Sequence, residues 1–229
     1  RYVFQGWAGS TTWLKVVSSI PSMSSSLFSN MMTRTGASEI AGMTISGDEN
    51  GGWPWWDRDN DAMVFDADNK ITALKADTIA NLGAYMSLFS SVVPTYLHAI
   101  LYSGQYVIPA IHCNMRTAYT NTVPVDAYRG AGRPEATFQT ERIIEYAARQ
   151  LGLDPIEIRR KNLMRPEKLP HKTSMGLNID CGDFPKGFER TLKLADPGSF
   201  TERAEQIKTA GRRFGFAIAP YLECTGGGP

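Results

Sequence analysis

Metal clusters, membrane spans and nucleic-acid surfaces all find little to build on in this chain of 229 residues. Cysteine is scarce: Cys113, Cys181 and Cys224 are odd in number and far apart. No CxxC pair and no carboxylate–histidine cluster accompanies them, so the residues themselves offer no metal site. Isolated thiols of this kind are expected to be reduced and mostly buried, as in a cytoplasmic protein. The three histidines, His98, His112 and His171, lack partners at ligand spacing and read as satisfied or solvated side chains. No run of 18 apolar residues is present, which excludes an apolar helix long enough to span a bilayer. Nor does the start read as a signal peptide, because Arg1 is followed by polar and aromatic residues rather than an apolar core. Neither sign of charge is in excess: 24 basic against 23 acidic residues gives a net charge of +1. That balance removes nucleic acid as a first choice of partner. No Gly-x-x-x-x-Gly-Lys-Ser/Thr occurs either, so the phosphate loop of the nucleotide hydrolases is absent.

What is present is unevenly distributed. The length suits one large domain or parts of two. Only Arg1, Lys15, Arg34, Glu39, Asp48 and Glu49 carry charge before Asp57. All five tryptophans (Trp7, Trp13, Trp53, Trp55, Trp56) and ten serines before residue 50 crowd the same stretch. Its apolar residues hold neither a helical nor a strand period for long. Beyond it the chain becomes readable. Residues 62–66 and 71–81 read as two strands joined by the turn-forming Asp66, Ala67, Asp68 and Asn69. Residues 111–119 alternate, with Ile111, Cys113, Met115, Thr117 and Tyr119 on one face and His112 on the wetter one.

Helices are predicted over 134–151 and 154–164. Ala136, Thr140, Ile143, Ala147 and Leu151 share one helical face, and Ile158 is a further core candidate. Pro134 suits the first turn and Gly152 the position after the last. Asp154 can cap the second helix, with Glu157 at the reciprocal capping position. Residues 169–183 read as a loop, 187–195 and 201–210 as helices, and 213–222 as a strand. The fold class expected is α+β: a mixed or antiparallel sheet with flanking helices.

The informative stretch runs Ala127, Tyr128, Arg129, Gly130, Ala131, Gly132, Arg133, Pro134, Glu135, between a strand and a helix. Gly130 and Gly132 permit positive φ and let an anion approach backbone N–H groups. The helix that follows points its positive end at the same place. Arg129 and Arg133 add forked donors suited to phosphate or oxo groups. A glycine-containing turn ahead of an ordinary helix accounts for the same residues, so the pattern alone leaves both readings open.

This loop resembles the active-site loop of the large subunits of the carbon monoxide dehydrogenase-like molybdenum hydroxylases, in the xanthine dehydrogenase family. The flanks are similar too: Ala80 to Tyr85, Ser103 to Tyr106, Tyr119 to Thr122, Glu141-Arg142, Leu151 to Pro155, Arg159 to Leu163, and Tyr221-Leu222-Glu223 with its glycine run. The resemblance covers residues 57–229. It implies a molybdenum–molybdopterin cofactor, as the cytosine dinucleotide, contacted by Tyr128, Arg129, Gly130 and Gly132. It implies hydroxylation of a small organic substrate with water as the oxygen source. Electrons would pass to [2Fe–2S] clusters on a small partner subunit and FAD on a medium one, in the cytoplasm. Ala131 falls where xanthine dehydrogenases place a phenylalanine against the substrate, which disfavours a flat purine. Gly130 stands where the carbon monoxide-oxidising enzymes hold copper with a cysteine, so carbon monoxide is not the expected substrate. The family's general base is a glutamate in a glycine-rich motif that would lie beyond Pro229. No catalytic residue is therefore expected in this chain, and Glu135, Glu141 and Glu223 are not candidates for that role.

These readings divide the chain at 57–168, part of a first molybdopterin-binding subdomain, and 169–229, the start of a second. Residues 1–56 show none of the family's pattern and are expected to be atypical, either out of frame or disordered. The alternative to an enzyme subunit is a truncated binding or assembly module that keeps the loop without completing a site.

Overall fold

The computed structural model describes residues 2–4, 39–46, 56–209 and 211–223, with side chains from residue 62 onward. A five-stranded sheet carries the fold, in the order β1 (Tyr2–Phe4), β5 (Ala110–Ala118), β4 (Ile71–Asn81), β3 (Trp56–Phe65), β2 (Glu39–Ser46). Every pairing is antiparallel except β4 with β5, which run parallel and therefore need a long crossover between them. The mixed sheet expected from the sequence is present. Of the atypical first 56 residues, Tyr2–Phe4 and Glu39–Ser46 join this sheet as β1 and β2; the expectation for the remainder lies outside the described residues.

The β3–β4 turn is built by Asp66, whose carboxylate accepts from the Asp68 and Lys70 amides at 2.9 and 2.8 Å. Asn69 takes the left-handed conformation there (φ 60°), which asparagine tolerates better than most residues. On β5 the alternation holds for Ile111, Cys113 and Met115, all buried. It fails at Thr117 and Tyr119, which lie past the covered part of the sheet and are exposed. Of the thiols expected to be mostly buried, Cys113 is buried and Cys181 is exposed.

Helix α1 (Arg133–Leu151) packs on the sheet. Its buried face holds Ala136, Thr140, Ile143 and Ala147, widened by Gln139, Glu141, Ile144 and Ala148. Leu151 sits at the edge of the core rather than within it. Gly152 ends the helix at φ 66°. Helix α2 (Pro155–Asn162) starts under its Asp154 cap, which accepts from the Ile156 amide at 2.7 Å, and buries Ile158. Glu157, read as the reciprocal cap, pairs instead with Arg160. The helix stops two residues before the predicted Met164 because Leu163 turns extended and bridges Tyr106. Asn162 then latches the helix end to the β3–β4 turn, accepting from the Ile71 amide at 2.8 Å and donating to Asn69 O at 2.9 Å.

The stretch expected as a loop, 169–183, contains a short hairpin of β6 (His171–Lys172) and β7 (Asn178–Ile179). Helix α3 (Phe184–Ala195) adds Phe188 and Leu192 to the common core, and α4 (Phe200–Thr209) follows. Residues 213–222 do not form the predicted strand. Their alternation survives, with Phe214, Phe216 and Ile218 half-buried between exposed neighbours. Among the described residues no strand pairs with them, so the hydrogen-bond ladder that defines a strand is missing.

Candidate functional site: the loop before helix α1

Two segments laced by backbone bonds support the loop. Residues 82–87 of the β4–β5 crossover meet residues 118–125 through Leu82 N to Ala118 O (2.8 Å), Thr120 N to Gly83 O (2.9 Å) and Ala84 N to Thr122 O (3.0 Å). No aspartate, glutamate, lysine or arginine lies between Asp77 and Arg116. Even so, Tyr85, Met86, Leu88, Phe89 and Tyr96 of the crossover are exposed. The loop is thus flanked by a largely apolar surface, on which the Asp126 carboxylate accepts from the Phe89 amide at 3.3 Å.

The loop itself is a pair of tight turns. The Ala131 amide donates to Tyr128 O at 2.9 Å and the Arg133 amide to Gly130 O at 3.1 Å. Gly130, Ala131 and Gly132 all have positive φ, at 100°, 44° and 93°. The positive φ expected of both glycines is present, but the space on their Cα atoms is filled by protein. A Cβ on Gly130 would lie 2.7 Å from the Pro134 ring, and one on Gly132 would lie 2.7 Å from His98 N. The glycines are therefore required by local packing, whatever the loop binds.

The donors also divide. Glu135 stands at the third helical position, in the first turn of α1, where a carboxylate suits the helix's positive end. Burial pushes its carboxyl above the usual range, and the bonds from the Gly132 and Glu135 amides oppose that shift. So Glu135 belongs to the first helical turn rather than to the outward edge of the loop. Arg133 is also committed. Its Nη1 donates to Gly130 O at 3.0 Å and its Nε lies 2.8 Å from a Glu223 carboxylate oxygen. The reading of Arg133 as a donor to a bound anion gives way to an internal ion pair. Arg129 differs: it is exposed and, among the described residues, forms no ion pair. Tyr128 beside it is 80% exposed. The outward edge of the loop is Tyr128, Arg129 and Gly130, at the positive end of a helix of 19 residues.

Beneath the loop lies a buried polar cluster that sequence reading missed. His98 Nε2 is 2.7 Å from Gln139 Oε1, and Tyr102 OH donates to the same oxygen. Gln139 Nε2 reaches Thr78 Oγ1 at 3.2 Å. All four side chains are fully buried. Burial pushes the His98 imidazole down to about 4, against the hydrogen bonds that favour its charged form. His98 had read as an unremarkable histidine because its side-chain hydrogen-bond partner, Gln139, lies 41 residues away along the chain, at no motif spacing. Two turns into α1, Arg159 meets Glu141 at 2.7 Å, and Tyr106 OH donates to Glu141 at 2.7 Å. Burial raises the Glu141 carboxyl and the guanidinium opposes it. His112 is half-buried, and burial together with Lys75 lowers its pKa. No cluster of three or more potential metal-ligating side chains occurs among the described residues.

A mixed sheet with a positive-φ loop feeding a long helix is the frame in which the comparisons with known proteins fall. Residues 62–163 match the molybdopterin cofactor-binding domain. The chain is 34% identical over 175 residues to the carbon monoxide dehydrogenase large chain of Hydrogenophaga pseudoflava, covering 71% of this chain and 21% of that one. It is 31% identical over 169 residues to the 6-hydroxypseudooxynicotine dehydrogenase complex subunit gamma of Paenarthrobacter nicotinovorans, covering 72% and 21%. Among solved structures, quinoline 2-oxidoreductase from Pseudomonas putida 86 is similar at 31% identity and a TM-score of 0.61, over 67% of this chain and 20% of that one. Residues 62–163 thus belong to the molybdopterin cofactor-binding domain, and the chain's relatives are molybdenum-dependent oxidoreductases, with carbon monoxide dehydrogenase large chains and xanthine dehydrogenase molybdenum-binding subunits among them. The chain spans about a fifth of the length of these relatives. No helix among the described residues is long and apolar enough to cross a membrane.

Proposed function

We propose that this chain supplies the cofactor-facing loop of a hydroxylase large subunit that oxidises a small organic substrate. Arg129 carries the reading: it is the loop's uncommitted guanidinium, set at the positive end of α1, while Arg133 is held internally. The donor set fits an anionic pterin cofactor in part. Tyr128, Arg129 and Gly130 form the edge that would hold it, whereas Gly132 acts from behind, through packing. Molybdopterin, in the cytosine dinucleotide form, would supply the redox centre for hydroxylation with water as oxygen source. The protein's own part is to bind and orient that group and to flank it with a largely apolar wall. Ala131 faces the substrate side, and its small side chain leaves out an aromatic stacking surface. Gly130 offers no thiolate for copper, which argues against carbon monoxide. Residues 57–168 would belong to the first molybdopterin-binding subdomain and 169–229 to the second. The general base would come from elsewhere in the large subunit, with FAD and [2Fe–2S] subunits as partners in the cytoplasm.

The test is Arg129→Ala in the full-length subunit with its partners, read as molybdenum per subunit. Losing a charge-assisted bond of about 1.5–3 kcal/mol should weaken retention roughly 10- to 100-fold. Equal molybdenum content in variant and wild type would overturn the assignment. Gly130→Val is a poorer probe, since its side chain strikes Pro134 before any ligand.

A further inference from the structure

Arg133 holds the Gly130 carbonyl from two sides. Its own amide donates to that oxygen at 3.1 Å and its Nη1 donates at 3.0 Å. Gly130 carries no Cβ to restrict its side of the Gly130–Ala131 peptide plane, so such a double grip helps decide which way the plane faces. The side-chain half of the grip depends on where the guanidinium is kept, and a flexible arginine must be held to act so. Glu223 keeps it there, 2.8 Å from Nε, although it lies 90 residues further along the chain. The segment that brings Glu223 is anchored separately, because Gln105 Nε2 donates to Tyr221 O at 2.6 Å. Gln105 lies at the end of the same crossover that underlies the loop, and its carbonyl accepts from the Met164 amide at 2.9 Å. The extended segment 212–223 is thus fastened on both sides of the loop's support, with no ladder of its own among the described residues.

We propose that Glu223 is a positioning residue for the cofactor loop, acting through Arg133 on the Gly130 carbonyl to set the outward edge Tyr128–Gly130. The inference rests on the reading of that edge as cofactor-facing. The chain of contacts itself is internal, so it can be tested apart from any cofactor. Glu223 does this without being a base: its carboxylate is spoken for by a guanidinium and is distant in role from substrate chemistry. The arrangement also gives residues after 212 a hold on the loop, so that docking of this segment is felt at Gly130.

Hydrogen exchange on the 229-residue chain reads this directly, at the Ala131 and Arg133 amides that close the two turns. An ion pair with a half-exposed carboxylate contributes little to global stability, so Glu223→Gln should leave the unfolding midpoint nearly unchanged. It should speed exchange at those two amides roughly two- to fivefold. Gln105→Leu should speed the same amides by loosening the segment. The charge swap Arg133→Glu with Glu223→Arg separates a relay from a simple ion pair. It restores opposite charges but provides no side-chain donor to Gly130 O, so fast exchange should persist. Unchanged exchange in Glu223→Gln, or slow exchange restored by the swap, would overturn the proposal. Arg129→Ala should leave these amides as in wild type. In the full-length subunit with its partners, Glu223→Gln should also release molybdenum faster than wild type. If Arg129→Ala keeps its molybdenum while the exchange results hold, the cofactor assignment fails and the positioning relay stands.

Discussion

Replacing Arg159 by methionine would leave the Glu141 carboxylate buried without its cation. The two side chains are 3% and 8% exposed and meet at 2.7 Å, so neither can turn to solvent instead. Breaking such a pair by removing one partner costs about 3–5 kcal/mol. An independent route gives a similar figure. A carboxyl that cannot stay charged in the fold must take up a proton. From an unfolded pKa of about 4.3, that costs about 3.7 kcal/mol at pH 7 but only about 1 kcal/mol at pH 5. The sign follows from the direction of the shift. With Glu141 raised above its unfolded value, the folded variant holds the extra proton, so stability is lost as pH rises above the unfolded pKa. The donors from Arg159 to Pro155 O and Glu141 O add a loss of about 1 kcal/mol at both pH values. Urea unfolding followed by far-ultraviolet circular dichroism at pH 5 and pH 7 measures both. The expected penalty is about 2 kcal/mol at pH 5 and about 4–5 kcal/mol at pH 7. An equal penalty at the two pH values would refute the reasoning, because Glu141 would then not be the group left stranded.

Two further predictions concern the loop's foundation. His98 is neutral in the fold, with its pKa lowered to about 4 by burial, so its contribution is intact above the unfolded pKa of 6.5 and lost as pH falls toward 4. Between pH 6.5 and 5 the wild type should lose stability by about 1 kcal/mol per pH unit more than His98→Gln, and parallel slopes in urea titrations would dismiss the buried-neutral assignment. Gly132→Ala should cost about 2–4 kcal/mol, combining backbone strain with a Cβ 2.7 Å from His98 N. Gly176 has nearly the same φ, 92°, but open space around it, so Gly176→Ala isolates the strain; equal losses would rule out the packing explanation.

The two glycines show where sequence reading succeeds and where it stops. Positive φ at Gly130 and Gly132 was legible because short-range chemistry dictates it, as were the Asp154 cap, the Gly152 terminator and the buried stripe of α1. Each of those depends on residues within about one or two helical turns of one another. What filled the space at the glycines was not legible, because Val93, Leu97 and His98 approach Gly132 only through the crossover between two parallel strands. The same holds for Arg133. At the loop its guanidinium is indistinguishable in sequence from that of Arg129, and only tertiary contact with Glu223 separates the committed cation from the exposed one. Residues 213–222 fail for the converse reason: their alternation is local, but a strand needs a partner, and among the described residues there is none.

That distinction bears on how the loop works. A site assembled from short-range signals alone would present four donors, two arginines and two glycine amides, to an incoming anion. The folded loop presents fewer. Glu223 takes Arg133, and the Ala131 and Arg133 amides close turns. Each internal commitment lowers the loop's freedom, because a carbonyl or amide already bonded cannot turn to meet a ligand. The conformation that exposes Tyr128 and Arg129 is therefore set before anything binds, and the entropy of ordering it is met during folding rather than at binding. Four fully buried polar side chains under Gly132 fit the same logic. An apolar core would fill that space at lower desolvation cost, but a hydrogen-bonded cluster fixes the orientation of each member, and His98 lends its backbone to the floor on which Gly132 rests.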